Sequence, residues 1–397
     1  MRVLLLNQFF HPDVSAVAQL ATDLGEDLVT AGFRVTALAT RGRYSGGARL
    51  PEREEYLGIR IVRVQSTSLG RGSIAARMAD YGSFLAGAFA HVAIAEKPDV
   101  ILAMSTPPFV AAIGAAMRSL RRTRFVYWAL DLYPELAVEF GVLRRDSPAT
   151  RLLDWASARI LRRADAVVTL GEAMAARLVR KGAQPDKVHI VPNWADPDAI
   201  RPIPHEANPF RAAHGLDGKH VVLYSGNMGR GHDIETVLAA AESFRERNDV
   251  VFLFIGDGVK RDRVRAAACQ NPCIRLLPYQ PREKLSQSLS AGDLHLVTQD
   301  ANTEGLIEPS KLYGGMAAGR PVLFIGPDTT EVARTVRREG IGEIVANGDL
   351  QGAKEAIVKL LQDGAGKGGR ARAALERAYG RKRRTSEIAG ILRAFVD

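Results

Sequence analysis

VVLYSGNMGRGHDIETVLAAA, Val221 to Ala241, decides how the chain is read. Val221–Tyr224 is a short apolar run bounded by a glycine-bearing turn, as a buried strand would be. The apolar spacing after Asp233 is helical. A strand that passes through a glycine turn into a helix is the repeating unit of a parallel α/β sheet. Gly226, Gly229 and Gly231 let the backbone come close to a ligand, and Arg230 adds a positive charge beside exposed amides. The spacing G-x-x-G-x-G is neither the dinucleotide fingerprint nor a P-loop, and a purely structural turn fits the same residues.

A second such unit lies at Glu304–Gly326, EGLIEPSKLYGGMAAGRPVLFIG. Pro309 and Ser310 make a turn, a short helix is predicted from Ser310 through Met316, and Val322–Ile325 is a buried strand. Ser310 is placed to cap the helix, and Lys311 stands at its mouth. Free backbone N–H groups, a hydroxyl and a lysine suit a phosphate, and a solvated lysine at an ordinary helix start fits too. Arginine and lysine after strand ends of one domain would hold a diphosphate between a fork and a point charge.

Working outward, strands are predicted at Val3–Leu6, Val35–Ala39, Ile59–Val64, Val100–Met104, Phe125–Ala129, Ala166–Leu170 and Val188–Val191. Helical spacing fills 73–95, 108–120, 149–163 and 172–181. The polar, proline-bearing passage Asn193–Pro209 reads as a linker. A second series then follows at Val221–Tyr224, Val250–Ile255, Ile274–Leu277, Leu294–Val297, Val322–Ile325 and Gly342–Val345. The expected architecture is α/β, with two doubly wound Rossmann-like domains facing one another across a cleft. Ligands of such sheets bind beyond the carboxyl ends of the strands.

The 397 residues exceed one ordinary core, and 46% apolar with 25% charged residues is the composition of a globular enzyme. The net charge of +10 is spread over both halves and favours anionic ligands or an anionic membrane surface. Cys269 and Cys273 have no second pair to complete a zinc site and read as reduced thiols. Val100–Met117 is uncharged, but Pro107-Pro108 splits it into a strand and a helix start, against a membrane span. The N-terminal MRVLLLNQFF reads as a first strand and not as a signal peptide. The tail from Gly364 to Arg384 is glycine-rich and then basic. With only Tyr379 to stack on bases, it reads as a solvated or membrane-facing patch, not a nucleic-acid tail.

SGNMGRGHDIETVLAAA (225–241), IGDG (255–258), LPYQPREKLSQSLSAGDLHLV (277–297) and EPSKLYGGMAAGRPVL (308–323) resemble retaining glycosyltransferases of family 4. NQFFHPD (7–13), WALDLYPE (128–135) and VPNWAD (191–196) resemble the same family's N-terminal half. The likeness covers nearly the whole chain and is strongest to the bacterial branch that builds surface polysaccharides, fucosyl- and N-acetylfucosaminyl-transferases included. It implies the GT-B fold. The domains would be an acceptor-side domain over 1–204, a nucleotide-sugar domain over 205–375, and a C-terminal helix over 376–397 returning to the first.

The resemblance assigns the donor diphosphate to Arg230 and Lys311 and places Gly226, Asn227, Gly229, Pro309 and Ser310 around the donor. It sets the backbone near Tyr279 and Gln280 against the nucleobase. The family's E-x7-E pattern falls on Leu306 and Gly314, neither acidic; Glu304 or Glu308 could substitute for the first, with Glu308 preferred, and the ribose contact of the second is without its acid at Gly314. Asp131 remains from the first-domain histidine–aspartate pair, with Leu130 in the histidine's place. His11 and Asp13, in the loop after the first strand, are the acceptor-side candidates. Asp13-Val14-Ser15-Ala16 stands where the family has a glycine pair.

The implied reaction is transfer of a sugar from a nucleotide sugar, UDP-linked by resemblance, to a glycan or polyprenyl-linked acceptor. It needs no metal and no cofactor beyond the co-substrate. The D-x-D at Asp196-Pro197-Asp198 lies in the predicted linker, not over a strand end. An epimerase or phosphorylase on the same fold, or a lapsed scaffold, are the alternatives. A cytoplasmic protein resting on the inner face of the membrane is expected, through arginines at 71, 77, 118, 121, 122 and 124.

Overall fold

A computed structural model describes residues 1–44, 46–69 and 73–395. The chain divides into two compact units, Met1–Pro192 with Lys382–Asp397, and Asn193–Arg381.

The first unit holds β1 (Arg2–Leu6), β2 (Arg34–Thr40), β3 (Arg53–Tyr56), β4 (Ile59–Val64), β5 (Val100–Ala103), β6 (Arg124–Trp128), β7 (Ala166–Thr169) and β8 (Val188–Ile190). Their order across the sheet is β3-β4-β2-β1-β5-β6-β7-β8. β5 and β7 are buried at every position, as strands covered on both faces must be. Leu20, Leu24 and Leu28 of the helix Ala16–Thr30 are all buried, one stripe at helical spacing. β3 is a correction to the sequence reading: Arg53–Tyr56 pairs antiparallel with β4 on the sheet edge. Its REEY has charge where a core strand has apolar side chains, so hydrophobic patterning misses it. The uncharged run Val100–Met117 divides as expected, into β5 and the start of the helix Ala111–Leu120. No helix among the described residues is long and apolar enough to cross a membrane.

The second unit holds β9 (His220–Ser225), β10 (Val250–Ile255), β11 (Ile274–Leu277), β12 (Leu294–Thr298), β13 (Val322–Ile325) and β14 (Gly342–Val345). All pair in parallel in the order β11-β10-β9-β12-β13-β14. Successive strand side chains go to opposite faces. Val222, Tyr224, Phe252 and Phe254 pack into one core. Leu223, Val251, Leu253 and Ile255 meet Phe210 and Leu216 on the other face. The strand order reverses between β9 and β12, and there the connections leave in opposite directions and open a crevice at the carboxyl ends.

Further expectations are corrected. Asn193–Pro209 belongs to the second unit and is not a free linker, so the boundary falls at 192/193 in place of 204/205. Arg372 holds the passage, donating to the carbonyls of Pro197 at 2.8 Å and Ile200 at 2.7 Å and to that of Ala317 at 2.8 Å. Asp196 Oδ1 caps a turn by accepting from the Asp198 and Ala199 N–H groups, and Oδ2 pairs with Arg381.

The glycine-rich start of the tail is helical, Ala365–Ala374, and Gly368 lets that helix approach Gly319; an added methyl there would stand 2.3 Å from the Gly319 carbonyl oxygen. The basic run is not simply solvated either, since Arg381 is buried. The return to the first unit comes after Arg381, not at 376. Thr385 donates to Asp27 at 2.8 Å, and the Arg393 guanidinium stands 5.3 Å from the Phe33 ring centroid.

Several arginines read as membrane-facing are tied into the first unit. Arg118 and Arg124 both pair with Asp165, and Arg121 donates to the Val92 and Ala95 carbonyls at the end of the helix Ile74–Ile94. Arg71 lies outside the described residues.

Arg372→Ala removes these three hydrogen bonds and a fourth to Glu376 at 2.6 Å, and leaves three carbonyls to find new partners, a loss of roughly 2–4 kcal/mol. Urea unfolding is expected to show that loss, with Arg372→Lys recovering only part of it; an unchanged midpoint in the alanine variant would contradict the anchoring role.

Candidate functional site

The second unit's crevice is built by backbone before side chains. β9 ends at Ser225, and Gly226 follows with φ +133°, a conformation that L side chains rarely adopt. A methyl group added at Gly226 would stand 2.8 Å from Lys311 Cε, so the lysine stem lies where any side chain at 226 would be. Gly256 and Gly258 (φ +142° and +141°), after β10, bring the next loop onto the first. Their added methyls would meet the Gly226 carbonyl oxygen at 2.1 Å and the Asn227 Oδ1 at 2.6 Å. Tyr279 comes in beside Gly256, its ring 3.4 Å from the same added methyl. These two loops and Lys311 therefore form one surface.

Lys311 opens the helix Lys311–Ala317 after β12, as predicted, but Ser310 makes no side-chain capping bond. Its backbone is already helical at φ −65°, ψ −14°, which is not the extended conformation of a capping serine. The lysine is instead held from across the crevice. Its Nζ lies 3.0 Å from His232 Nε2 and 5.1 Å from the centroid of the Tyr224 ring. The Tyr224 hydroxyl donates to the Asn227 carbonyl at 2.9 Å. His232 Nδ1 lies 2.7 Å from the carbonyl oxygen of Thr298, the last residue of β12. Lys260 donates to the His232 carbonyl at 2.6 Å and to Glu235 at 2.9 Å, which fixes the loop from behind.

Burial pushes the Lys311 ammonium down to about 7. Burial, followed by the charge of Lys311, pushes His232 down to about 3.

His232 and Lys260 carry no role in the sequence reading. The signal was present as the histidine of GRGHD, but a histidine at a helix start does not reveal its partner 79 positions away.

The other predicted donor residues divide. Arg230 is exposed on the Gly226–His232 loop, and Asn227 and Gly229 pack on each other at its crest. Pro309 is buried and Ser310 partly so. The Gln280 side chain bonds back to the Pro278 carbonyl at 2.9 Å. At Gly314, where the family pattern has an acid, an added methyl would touch only Leu289 at 3.6 Å. Glu304 and Glu308 lie close enough to raise the proton affinity of Glu308, whose Oε1 is buried without a hydrogen-bond partner. Burial, then the charges of Glu331 and Glu304, raise Glu308 to about 8.

In the first unit, Asp131 follows β6, and its N–H donates to Ser105 Oγ at 3.2 Å. Burial raises its carboxyl to about 6. Tyr127 and Tyr133 are raised by burial and then by the charge of Asp131. Ser105, Tyr127 and Tyr133 also line one small crevice.

His11 and Asp13 serve the loop itself. His11 stacks on Tyr56 with ring centroids 3.6 Å apart, and its carbonyl accepts from Arg63 at 2.6 Å. Both Asp13 oxygens are engaged, accepting from the N–H groups of Ser15 at 2.9 Å and Tyr44 at 2.6 Å. Backbone amides so placed hold the loop that a glycine pair would otherwise shape.

Glu308 keeps its proton in the fold until about pH 8, whereas the unfolded chain releases it near 4.5. Between those values the unfolded state binds fewer protons, so stability falls as pH rises. The melting-temperature advantage of Glu308→Gln over the native chain is expected to widen from pH 5 to pH 8; a constant difference would show that Glu308 ionises normally.

Two family models match the chain: the glycosyl transferase 4-like domain over residues 15–194 and the glycosyl transferases group 1 domain over residues 219–363. WbjE of Pseudomonas aeruginosa, named as a probable glycosyltransferase, is 32% identical over 62% of this chain and 62% of its own length. The chain thus spans less than two thirds of that relative. WcaI of Escherichia coli K12, named as a putative colanic acid biosynthesis glycosyl transferase, is 23% identical over 84% of this chain and 85% of its own. The solved structure of HepE from Anabaena, in complex with UDP and glucose, superimposes with a TM-score of 0.72 at 17% identity, covering 99% of this chain and all of that one. The parallel sheets of both units and the matches to both halves agree: the chain belongs to the family 4 glycosyltransferases of GT-B fold.

Proposed function

We propose that the protein transfers a sugar from a nucleoside diphosphate sugar, UDP-linked, to a glycan or polyprenyl-linked acceptor in bacterial surface-polysaccharide synthesis, with retention of configuration. One observation carries this reading: the Lys311 ammonium, held over bare glycine backbone at the switch point of the second sheet. A half-buried cation beside unobstructed backbone suits a diphosphate. The UDP complex of HepE supports the choice of nucleotide, and the colanic acid assignment of WcaI supports the pathway class.

The chemistry follows from charge. Breaking the bond between the anomeric carbon and the phosphate oxygen leaves negative charge on the diphosphate, and Lys311 with Arg230 stabilises it as it develops. The acceptor oxygen bonds to the anomeric carbon on the face the phosphate leaves, and its proton passes to the departing phosphate oxygen. Asp131 orients the acceptor hydroxyl. Glu308, protonated at neutral pH, donates a hydrogen bond to the donor in place of the acid missing at 306. No metal enters this sequence.

Peripheral contact with anionic lipid belongs to the same reading. The helix Pro148–Arg163 exposes Leu152 and Trp155, 63% and 57% accessible, and Arg159 stands 5.6 Å from the Trp155 ring centroid. Arg151, also exposed, shares that face. Leucine and tryptophan flanked by arginine suit a lipid interface.

A panel of nucleotide sugars, with and without polyprenyl-linked acceptor, is expected to show acceptor-dependent release of UDP. Lys311→Ala and Arg230→Ala should each cut that rate by about 100-fold or more while the protein stays folded; full activity in both would overturn the assignment. The ammonium is the binding form, so UDP affinity should be complete below about pH 7 and weaken above it, by up to about tenfold per pH unit. Cosedimentation with anionic vesicles at low salt should drop when Leu152 and Trp155 are both changed to Ser; equal binding by the variant would remove that face from the membrane reading.

A further inference from the structure

We propose that His232 is the positioning residue for Lys311: a neutral imidazole, anchored to the backbone of β12, whose unprotonated nitrogen holds the ammonium over Gly226. This rests on the donor-diphosphate reading of Lys311 and extends it to a residue that touches no substrate.

Hydrogen-bond inventory decides the tautomer. The Thr298 carbonyl, 2.7 Å from Nδ1, can only accept, so Nδ1 carries the proton. In a neutral ring Nε2 is then an acceptor, and an ammonium has only donors to offer it at 3.0 Å. One tautomer satisfies both ends. Protonating Nε2 would set two cations 3.0 Å apart in a buried place and remove the bond between them. The low proton affinity of the buried ring agrees.

The arrangement holds a charge without neutralising it. A carboxylate at 232 would also bind Lys311, but as an ion pair it would compete with an incoming diphosphate. An imidazole supplies one lone pair and no charge, so direction is fixed and the positive charge stays available. Three other contacts make the direction unique. The Tyr224 ring lies beneath Nζ, and that ring is locked by its bond to the Asn227 carbonyl. Gly226 leaves room for the stem. Lys260 holds the His232 carbonyl, so the ring is presented from a fixed backbone. A flexible four-carbon side chain loses considerable freedom on ligand binding unless it is placed beforehand, and such placement lowers the entropic cost of binding.

Two measurements on the full chain test this. Long-range proton–nitrogen correlation of histidine-labelled protein, with the signal assigned by its loss in His232→Gln, is expected to show Nδ1 protonated and Nε2 unprotonated from pH 6 to 8. An Nε2–H tautomer or an imidazolium in that range would overturn the proposal, whatever the protein binds. Calorimetry with UDP then compares two variants. His232→Gln keeps an acceptor oxygen near the Nε2 position and should bind within a few-fold of the native chain, whereas His232→Leu, of similar bulk, should bind at least tenfold more weakly. Equal affinities in Gln and Leu variants of matched melting temperature would mean that the ring only fills space. Failure of the native chain to bind UDP would strike the donor reading and leave the tautomer result standing on its own.

Discussion

The site in the second unit depends on one hydrogen bond, from His232 Nδ1 to the carbonyl of Thr298. It crosses the line where the sheet reverses its winding, between β9 and β12. Those two strands pair over only Leu294–Val222 and His295–Leu223 before their connections part. Beyond that point the loop after β9 meets the end of β12 through the Asp300 N–H, which donates to the Gly231 carbonyl at 3.0 Å, and through this imidazole. With its second nitrogen the imidazole also holds the lysine that follows β12. The same parting that creates a crevice for ligand thus sets the need for a bridge across it.

What surrounds the bridge explains the composition of the loops. Gly226, Gly256 and Gly258 all have positive φ and lie so close to a neighbour that a side chain would collide. Their absence of side chain exposes backbone where an anion would rest and leaves the stem of Lys311 its path. Keeping an ammonium half out of water is unfavourable, and burial lowers the proton affinity of Lys311 for that reason. The fold offsets it with an aromatic face and a lone pair, neither of which cancels the charge. Such a cation gains most when an anion arrives.

Much of the fold was legible because parallel strands covered on both faces are continuous apolar runs. Val100–Ala103, Val250–Ile255 and Val322–Ile325 are buried at every position and cannot be mistaken. The strand Arg53–Tyr56 escaped because an edge strand with charged residues has no apolar signature. Asn193–Pro209 reads as a linker because proline and polarity look alike whether solvated or pinned; partners far along the chain, Arg372 on the Pro197 and Ile200 carbonyls and Ser286 and Ser290 on the Arg201 and Ile203 N–H groups, distinguish the cases. At the site, Lys311 and Gly226 were visible from local motifs, whereas His232 was not, since its meaning comes from two contacts 66 and 79 positions away. Asp13 shows the reverse: an acid in a promising loop whose oxygens both serve backbone amides.

The central claim is that the switch point of the second unit is a diphosphate site organised by Lys311. A crystal structure of the protein soaked with UDP tests it most directly. The account predicts the diphosphate within hydrogen-bonding distance of Lys311 Nζ and against the Gly226 backbone, with His232 still bonded to Thr298. A diphosphate bound elsewhere in the chain, with the Lys311 ammonium untouched, would contradict it.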